Sequence, residues 1–557
     1  MSNHRSVALR TAIAASFAAT LAVAVPAVAA AQGGGRPLDL VAAADRVFSA
    51  WNNTHGPGCA VGIAQGGRTL LERGYGMADI NGERPITPST ILESGSVAKQ
   101  FTATAVLLLM QDGKLSLEDD ARKYLPELPT YGRTITVRHL LTHTSGLREW
   151  SNLMAWQGWP RGTRLHTQSD VLDIITRQRA LNYPVGDYYS YTNSGFLLLR
   201  TLVERVSGQS FAQFTRERIF APLGMRNTTW RDDFTTLVPG LAQAYSRRPD
   251  GWHLDMPFDN VIGAGGLLTT VGDWLRWNDA LTNKALGRAV GDSITRRMRL
   301  TSGLEIQYAL GIIVTSYRGL REISHSGSTA GYSTFLARYP DQDNLSIAVM
   351  CNAAGAAATT YTHALVDAMV PGLPAPTPLD TVTVDASRRA ALQGIYLDTR
   401  TNTPVVVDTT GGQLRARGTR LLALRDGQFA LGASRARFEQ GANGRAAAMF
   451  VTTSDGDTVR YIWKADATWE PTPAELQELT GRYRSDEIGV TFTVGIANGR
   501  LTVSPRTGVV DTLTPSYRGA FLADGGSAWF TRDTRGRVTA MHFGSGRVWD
   551  FVATRVP

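Results

Sequence analysis

Lysine is scarce in this chain of 557 residues, because only five of its 57 basic side chains are lysine. Arginine fills nearly all the other basic positions, and a guanidinium does not give up its proton in a protein. Any chemistry that needs an amine as a base must therefore use one of the five lysines. They are Lys99, Lys114, Lys123, Lys284 and Lys464.

Cysteine is rarer still, since the chain contains only Cys59 and Cys351. So few cysteines exclude a small fold that is held together by many disulfides. Each cysteine lies in an apolar run that is typical of a buried strand, so two buried thiols are the first expectation. A cross-strand disulfide is the alternative.

The signature motifs of several enzyme classes are absent as well. The chain has no His-Glu-x-x-His zinc motif, no Gly-x-x-x-x-Gly-Lys phosphate loop and no Gly-x-Ser-x-Gly nucleophile turn. These absences argue against a metallopeptidase, a nucleotide-binding enzyme and an α/β-hydrolase. We expect no metal and no other cofactor.

Outside the N-terminus, the sequence has no apolar segment long enough to span a membrane. At the N-terminus, Arg5 and Arg10 precede an apolar run over residues 11–25 and then a series of small residues. This order predicts a secretory signal peptide at residues 1–31. A membrane anchor is the alternative, but the run is short and rich in alanine. We expect an exported protein, periplasmic or secreted, without a stable membrane anchor.

The net charge of +9 comes from arginines that are scattered along the chain. Scattered charge argues against nucleic acid as a partner. It is compatible with attraction to an anionic polymer of the cell envelope. The oligomeric state does not follow from the sequence.

The length predicts several domains. Strand-like runs at both ends of residues 38–370 flank a region of helical patterns, which predicts an α+β domain with one antiparallel sheet packed by helices. A proline-rich linker at residues 371–380 ends this domain. Beyond it, short β-rich runs separated by glycine-containing turns predict two small all-β barrels, at residues 381–468 and 474–557.

The two predicted barrels share a repeated sequence. Leu392-Gln-Gly-Ile-Tyr396 matches Leu479-Thr-Gly-Arg-Tyr483, which lies 87 residues later, and further matches follow at an offset of 92. A steady offset followed by a slightly larger one is typical of a duplicated domain with a short insertion. We therefore expect two related closed barrels.

One of the five lysines stands beside a candidate nucleophile. Ser96 and Lys99 precede an apolar block that ends at Asp112-Gly113, which predicts a buried helix with both side chains on one face of its first turn. A serine hydroxyl attacks only when a base takes its proton, and a lysine is such a base only where its surroundings disfavour the ammonium. Since a serine three residues before a lysine is common by chance, this spacing needs partners elsewhere in the chain.

Two further stretches offer such partners. Tyr191 and Asn193 lie in an aromatic turn just before a helical pattern, and a tyrosine held near cations can act as a general base. His325, Gly327 and Ser328 lie where a strand becomes rich in small residues, which lets a substrate backbone approach and a strand N–H bind an oxyanion. The alternatives are an aromatic turn that packs a loop and an ordinary surface histidine.

The order of Ser96-x-x-Lys99, Tyr191-x-Asn193 and His325-x-Gly327 resembles that of the serine β-lactamase and penicillin-binding-protein superfamily. The resemblance is class C-like, is closest to the D-aminopeptidase and esterase branch, and covers residues 40–370. It implies a β-lactamase-like catalytic domain followed by two lipocalin-like barrels. Three framework segments agree with it, namely residues 140–147, 220–225 and 263–267.

The resemblance implies a catalytic role for three side chains. Ser96 would be acylated, while Lys99 and Tyr191 would handle its proton. Asn193 would bind the substrate carbonyl or Lys99. His143 also falls in a family motif, and we interpret it as a structural residue that holds its loop.

The resemblance also implies where a substrate would bind. The N–H groups of Ser96 and Ser328 would form the oxyanion hole, and His325 and Gly327 would line the substrate strand. Class C β-lactamases carry Lys-Thr-Gly where this chain has His-Ser-Gly, starting at His325. A mostly neutral imidazole is a weaker anchor for the carboxylate of a β-lactam than an ammonium is.

The predicted function is therefore an exported serine hydrolase that acts through an acyl-enzyme on small peptides, amides or esters, with a preference for D-amino acids. One alternative is a carboxylesterase of the same superfamily. Others are a β-lactamase or DD-peptidase, and a penicillin-binding sensor protein that deacylates slowly.

Overall fold

The computed structural model describes residues 39–376, 378–442, 444–454, 456–523 and 525–557. The predicted signal peptide at residues 1–31 lies outside these residues. The described chain forms two compact units. The first contains residues 39–150 and 161–376, and the second contains residues 151–160 and 378–557.

The first unit is built on one antiparallel sheet of six strands. In chain order the strands are β1 (Cys59–Gln65), β2 (Arg68–Tyr75), β3 (Ile313–Tyr317), β4 (Leu320–Thr329), β5 (Tyr332–Tyr339) and β6 (Leu345–Cys351). Their order in the sheet is β3-β4-β5-β6-β1-β2. The first hairpin of the unit thus pairs with its last strand, which confirms the prediction of one sheet assembled from distant parts of the chain.

The pairing of β1 with β6 corrects the first expectation for the cysteines. Cys59 lies directly opposite Cys351 in the register, and their Cα atoms are 4.0 Å apart. The two residues form a disulfide in the interior of the sheet, where both are fully buried. The alternative of a cross-strand bridge is therefore correct, because antiparallel pairing places the two thiols in contact.

Helices cover both faces of this sheet. Leu40–Val47 and Ala358–Met369 pack on one face, and Val271–Thr282 packs against β1 and β6 on the other. Gly62 of β1 permits this second contact, because a Cβ there would lie 3.1 Å from Val271. The other helices of the unit are Lys99–Gln111, Val137–Leu141, Gln168–Thr176, Asn193–Ser207, Phe211–Thr215 and Arg288–Ile294. A further helix, Trp150–Trp156, has its first residue in this unit and its other residues in the second.

Three small sheets complete the first unit. Their strands are Met77–Asp79 with Arg84–Pro85, then Leu92–Glu93 with Leu267–Thr269 and Thr229–Trp230, and finally Tyr245–Arg248 with Gly251–Leu254. In the second of these sheets, the strand Leu92–Glu93 lies just before the predicted nucleophile, Ser96. The sheet therefore fixes the start of the turn that contains Ser96.

The second unit contains a closed eight-stranded barrel, as predicted. A short helix, Ala386–Leu392, precedes it. Its strands are Gly394–Asp398, Pro404–Thr410, Gln413–Ala416, Thr419–Ala423, Phe429–Leu431, Ser434–Gln440, Ala446–Thr452 and Thr458–Ala465.

A nearly closed sheet of nine strands follows the helix Pro473–Leu479. Its order is Val509–Thr512, Arg500–Arg506, Val490–Ala497, Gly481–Ser485, Val548–Val556, Val538–Ser545, Gly526–Arg532, Ala520–Ala523 and Thr514–Pro515. The prediction of a second barrel is confirmed, although its sheet is nearly closed rather than closed. The two edge strands are consecutive in sequence and are separated by buried Leu513, whose N–H donates to the Leu501 carbonyl at 2.9 Å and so extends the pairing of Val509–Thr512 with Arg500–Arg506 by one residue.

The repeated sequence has a structural counterpart in the two sheets. Tyr396 and Tyr483 are both fully buried, and each hydroxyl donates to the carbonyl four residues earlier, at 2.8 Å. Gly394 and Gly481, which open the equivalent strands, have φ values of 140° and 142°. The two copies therefore share their first helix-to-strand corner.

Residues 151–160 belong to the second unit although they come from the middle of the first in sequence. Trp156 stacks on Phe543, with ring centroids 5.3 Å apart, and Arg506 donates to the carbonyl of Gly158 at 2.9 Å. No sequence motif indicates that residues 151–160 belong to the second unit. Within the described ranges, no helix is long and apolar enough to cross a bilayer.

Candidate active site

Ser96 and Lys99 lie where an irregular turn becomes a helix. A 3₁₀ turn, Gly95–Ala98, leads into the helix Lys99–Gln111, which is buried from Lys99 to Leu109. The sequence predicts Ser96 in the first turn of the α-helix. In the structure, Ser96 instead lies one turn before that helix begins. The helix ends as expected, with Gly113 at a φ of 71°.

The amine of Lys99 lies within hydrogen-bonding distance of three oxygens. It is 3.1 Å from the Ser96 hydroxyl, 2.8 Å from Oδ1 of Asn193 and 2.7 Å from the carbonyl of Ala264. Two of these oxygens can only accept, so they take two N–H groups of the amine. The third contact joins the amine to the Ser96 hydroxyl, and there a deprotonated amine would present its lone pair to the O–H. This geometry is that of a base beside a nucleophile.

The turn that carries Tyr191 and Asn193 also contacts the amine of Lys99. The Tyr191 ring centroid is 4.9 Å from the lysine nitrogen. Thr192 caps the helix Asn193–Ser207, because its hydroxyl accepts from the Ser194 N–H. The structure therefore brings together the two predicted motifs, which are more than 90 residues apart in sequence.

His143 holds this turn from behind. Its Nδ1 accepts from the N–H of Thr192 at 3.3 Å, and its ring lies 4.2 Å from that of Tyr191. Its carbonyl accepts from the Tyr183 hydroxyl and from the Ser190 N–H. These contacts agree with the interpretation of His143 as a structural residue.

The strand β4 packs directly against the turn that carries Ser96. A Cβ on Gly95 would lie 2.5 Å from the Ser328 nitrogen, and a Cβ on Gly327 would lie 2.1 Å from the Ser94 carbonyl. Both positions require glycine, because any side chain would force the two backbones apart. The N–H of Ser328 is thereby brought beside the turn of Ser96, as an oxyanion hole made from these two groups requires.

One edge of β4 is available for an extended ligand. The strand β3 pairs with β4 only as far as Ser324, whereas β5 pairs with it through Thr329. From His325 to Thr329, β4 has no second strand partner among the described residues. A substrate backbone can add along this edge by ordinary strand pairing.

His325 is buried, and both of its ring nitrogens have partners. Nδ1 lies 2.6 Å from the carbonyl of Ser326, and Nε2 lies 3.0 Å from the Tyr308 hydroxyl. A carbonyl can only accept, so Nδ1 carries the proton and Nε2 accepts from Tyr308. Burial, together with the charge of Lys99, lowers the pKa of His325 to about 3. The imidazole is neutral and has no N–H left to offer to a ligand.

These observations can be set beside known proteins. A family model described as Beta-lactamase matches residues 43–368, which is more than half of the chain. The chain belongs to the β-lactamase family. The chain is a serine hydrolase of this family.

Two relatives of this β-lactamase-family chain show how far the similarity extends. Penicillin-binding protein 4* of Bacillus subtilis is 30% identical over 301 residues, which are 50% of this chain and 64% of that protein. A D-aminopeptidase of Cereibacter sphaeroides is 28% identical over 473 residues, which are 82% of this chain and 85% of that protein. The second match therefore extends beyond the β-lactamase domain.

Solved structures of low sequence identity share the fold. A penicillin-binding protein homologue from Pyrococcus abyssi has a TM-score of 0.54 at 18% identity, with 93% of this chain and 99% of that chain covered. A D-amino acid amidase from Ochrobactrum anthropi has a TM-score of 0.52 at 20% identity, with 59% and 99% covered. The first of these matches includes the C-terminal sheets.

Three further residues support the site, and none was singled out from the sequence. Glu149 is fully buried and accepts hydrogen bonds from the turn of Asn193. Tyr308 caps His325, and burial raises its pKa well above that of a free phenol. Arg231 bonds to Glu93, three residues before the nucleophile. No local motif marked them, because each acts through a partner that is distant in sequence.

The buried His325 makes acid stability a measurable property of the site. Its pKa is about 3 in the folded protein, whereas a histidine in an unfolded chain titrates near 6.5. The stabilisation is thus complete above about pH 6.5 and is lost progressively as the pH falls towards 3. Between pH 7 and 4, the wild type should lose about 3 kcal/mol from this group. Urea unfolding should show a shallower loss for His325→Gln, and equal pH slopes would contradict this account.

Proposed function

We propose that this protein is an exported, D-amino-acid-specific hydrolase that releases aminoacyl groups through an acyl-enzyme at Ser96. The observation that carries the proposal is the 3.1 Å contact between the Ser96 hydroxyl and the Lys99 amine, in a site with a free strand edge. The substrates are small peptides, amides or esters.

In the proposed reaction, the Ser96 oxygen attacks the carbonyl carbon of the substrate while its proton moves to Lys99, with Tyr191 as a relay. The N–H groups of Ser96 and Ser328 stabilise the oxyanion. The tetrahedral intermediate collapses, the C–N or C–O bond breaks, and the leaving group takes the proton. Water then attacks the ester on Ser96 by the same route in reverse and releases the acid.

The preference for D-aminoacyl substrates rests on two observations. The match to D-aminopeptidases covers 82% of this chain, including residues beyond the β-lactamase domain. The neutral His325 offers no positive charge to a substrate carboxylate next to the scissile bond, so the site favours substrates whose leaving side is uncharged. Amides and esters of amino acids meet this condition, and β-lactams do not.

Export is the second part of the proposal. Disulfides form and persist in oxidising compartments, and the Cys59–Cys351 bridge is one that the cytosol would disfavour. The N-terminal sequence, with basic residues before an apolar run, supports the same conclusion. Peptides of the cell envelope would then be within reach of the enzyme.

A substrate panel tests the proposal. The panel contains D- and L-alanyl p-nitroanilide, p-nitrophenyl esters and a chromogenic cephalosporin, with Ser96→Ala as the background for each. We expect D-alanyl p-nitroanilide to be hydrolysed at least tenfold faster than the L-isomer, and the cephalosporin to be turned over least. Hydrolysis of the esters alone would indicate a carboxylesterase, and equal rates for the two isomers would end the claim of D-specificity.

A slowly deacylating penicillin-binding protein is the second candidate, favoured by the 30% identity to penicillin-binding protein 4*. A fluorescent penicillin distinguishes the two functions. An adduct at Ser96 that survives for hours would support the penicillin-binding protein, whereas the absence of an adduct, with turnover of D-alanyl p-nitroanilide, would support the peptidase.

A further inference from the structure

Glu149 is a buried carboxylate that lies directly behind the site. Its side chain is fully buried, and one oxygen, Oε2, accepts from the Asn193 N–H at 2.6 Å and from the Thr192 hydroxyl at 3.2 Å. The other oxygen, Oε1, lies 3.4 Å from the side-chain nitrogen of Asn193. A carboxylate that is removed from water in this way is costly unless its hydrogen bonds serve the surrounding structure.

These contacts determine which way the Asn193 amide points. An ionised carboxylate only accepts hydrogen bonds, so the NH₂ group of Asn193 must face Glu149. Its oxygen must then face Lys99, and Oδ1 is indeed 2.8 Å from the lysine nitrogen. With the opposite orientation, two donors would meet at Lys99.

The orientation of Asn193 in turn determines how Lys99 meets Ser96. Asn193 and the Ala264 carbonyl hold two N–H groups of the amine, which leaves the third direction for the Ser96 hydroxyl. If the amide turned, Lys99 would lose one of these two acceptors. Its lone pair would no longer be directed at the nucleophile.

We propose that Glu149 is a positioning residue for Ser96 acylation, acting through the amide of Asn193 on the amine of Lys99. This inference rests on the proposed function, because it assigns Lys99 as the base. It adds a carboxylate that touches neither the substrate nor the reacting atoms, yet sets the geometry of the base.

The first test is Glu149→Gln. Glutamine can keep its oxygen towards the Asn193 N–H, but its NH₂ then faces the NH₂ of Asn193 and forces that amide to turn. With p-nitrophenyl acetate as the acylating probe, we expect the rate of the p-nitrophenolate burst to fall at least tenfold. Mass spectrometry of the acetylated peptide shows that the adduct is at Ser96.

Glu322→Gln is the matched control. Glu322 is also a buried glutamate of the first unit, and it accepts from Tyr339, Ser324 and His363 at 2.7, 2.9 and 2.7 Å. Tyr339 lies in β5, and His363 lies in the helix Ala358–Met369, which packs on the sheet. A similar loss of thermal stability is expected in both variants, but the Glu322→Gln burst rate should stay within twofold of the wild type.

A reversed pair, Glu149→Gln with Asn193→Asp, separates positioning from a structural role. The glutamine NH₂ can donate to the new aspartate, whose second oxygen faces Lys99, so the hydrogen bonds and the single negative charge are kept. The charge now touches Lys99 and holds its proton. We expect thermal stability to recover, while the pH at which acylation reaches half its maximum rises by at least one unit.

The other titratable groups near Lys99 are the same in all these variants. They are Tyr191, with its ring 4.9 Å from the amine, His143 behind Tyr191, and His325, whose pKa the charge of Lys99 helps to lower. A difference in the pH profile between wild type and the reversed pair is therefore due to the moved charge.

Four results decide the matter. A tenfold loss in Glu149→Gln beside an unchanged Glu322→Gln supports the inference, as does the shifted profile of the reversed pair. Wild-type burst rates in Glu149→Gln, or recovery of rate and stability together at the wild-type pH in the reversed pair, would overturn it. If Glu149→Gln does not fold, the reversed pair decides alone. If the wild type is not acetylated at Ser96, the proposed function fails and this inference with it.

Discussion

Lys99→Met is expected to reduce the rate of Ser96 acylation by on the order of 10⁴-fold or more. Methionine has nearly the length of lysine and suits a fully buried position, so the fold should survive. It has no nitrogen to take the Ser96 proton. The stopped-flow burst with p-nitrophenyl acetate measures the rate, and circular dichroism measures the folding of the variant.

Ser96→Ala provides the comparison for Lys99→Met. The two residues act as one unit, so we expect kcat/KM for ester hydrolysis to fall to a similar residual level in each single variant and in the double variant. Losses that multiply in the double variant would show that the two residues act independently. Lys114→Met is the control for removing a lysine, because Lys114 is exposed just beyond the far end of the helix Lys99–Gln111. This variant should keep the wild-type rate of acylation. More than a tenth of wild-type activity in Lys99→Met would exclude Lys99 as the base.

The sequence predicts those parts of the site that are formed by residues close together in the chain. Ser96 and Lys99 are separated by one helical turn, and the spacing alone places them together. The turn of Tyr191 and the strand of His325 were also identifiable, because aromatic turns and glycine-rich strand ends are unusual. The structure brings these three segments to one place through the sheet and the helices around it.

Glu149 and Tyr308 could not be found in the same way. Glu149 acts on a turn 44 residues away, and Tyr308 acts on His325 from a segment without regular structure. Their residue types are ordinary for a loop and a core. Only the folded chain shows that Glu149 contacts the amide of Asn193 and that the Tyr308 hydroxyl bonds to Nε2 of His325.

The structural details that the sequence did not indicate have a similar cause. The disulfide depended on the register between β1 and β6, whose cysteines are 292 residues apart in sequence, and a shift of one residue would have separated the thiols. The gap in the second barrel lies at the buried Leu513, between the strands Val509–Thr512 and Thr514–Pro515. Register and strand breaks are set by packing between distant segments, which composition does not report.

Removal of the buried ion pairs that Arg231 forms close to the nucleophile should lower the stability of the first unit more than any other substitution considered. Arg231 donates to Glu93 at 3.0 Å and lies 3.3 Å from Asp259, and all three side chains are almost inaccessible to water. Glu93 also accepts from the N–H of Gly266, in the loop whose Ala264 carbonyl holds Lys99. The ion pairs therefore tie together the two segments that place Ser96 and the amine.

Arg231→Met should lower the free energy of unfolding of the first unit by about 3–5 kcal/mol, because it leaves Glu93 charged and unpaired in the interior. The urea midpoint for loss of esterase activity measures the effect on the unit that holds the site. The control is Arg205→Met, which breaks an exposed pair with Glu127 and should cost no more than about 1 kcal/mol. If the cost comes from the orphaned carboxylate, adding Glu93→Gln to Arg231→Met should recover part of the loss. A double variant that is less stable than Arg231→Met would mean that Glu93 stabilises the turn mainly through Gly266, and that the ion pair is secondary.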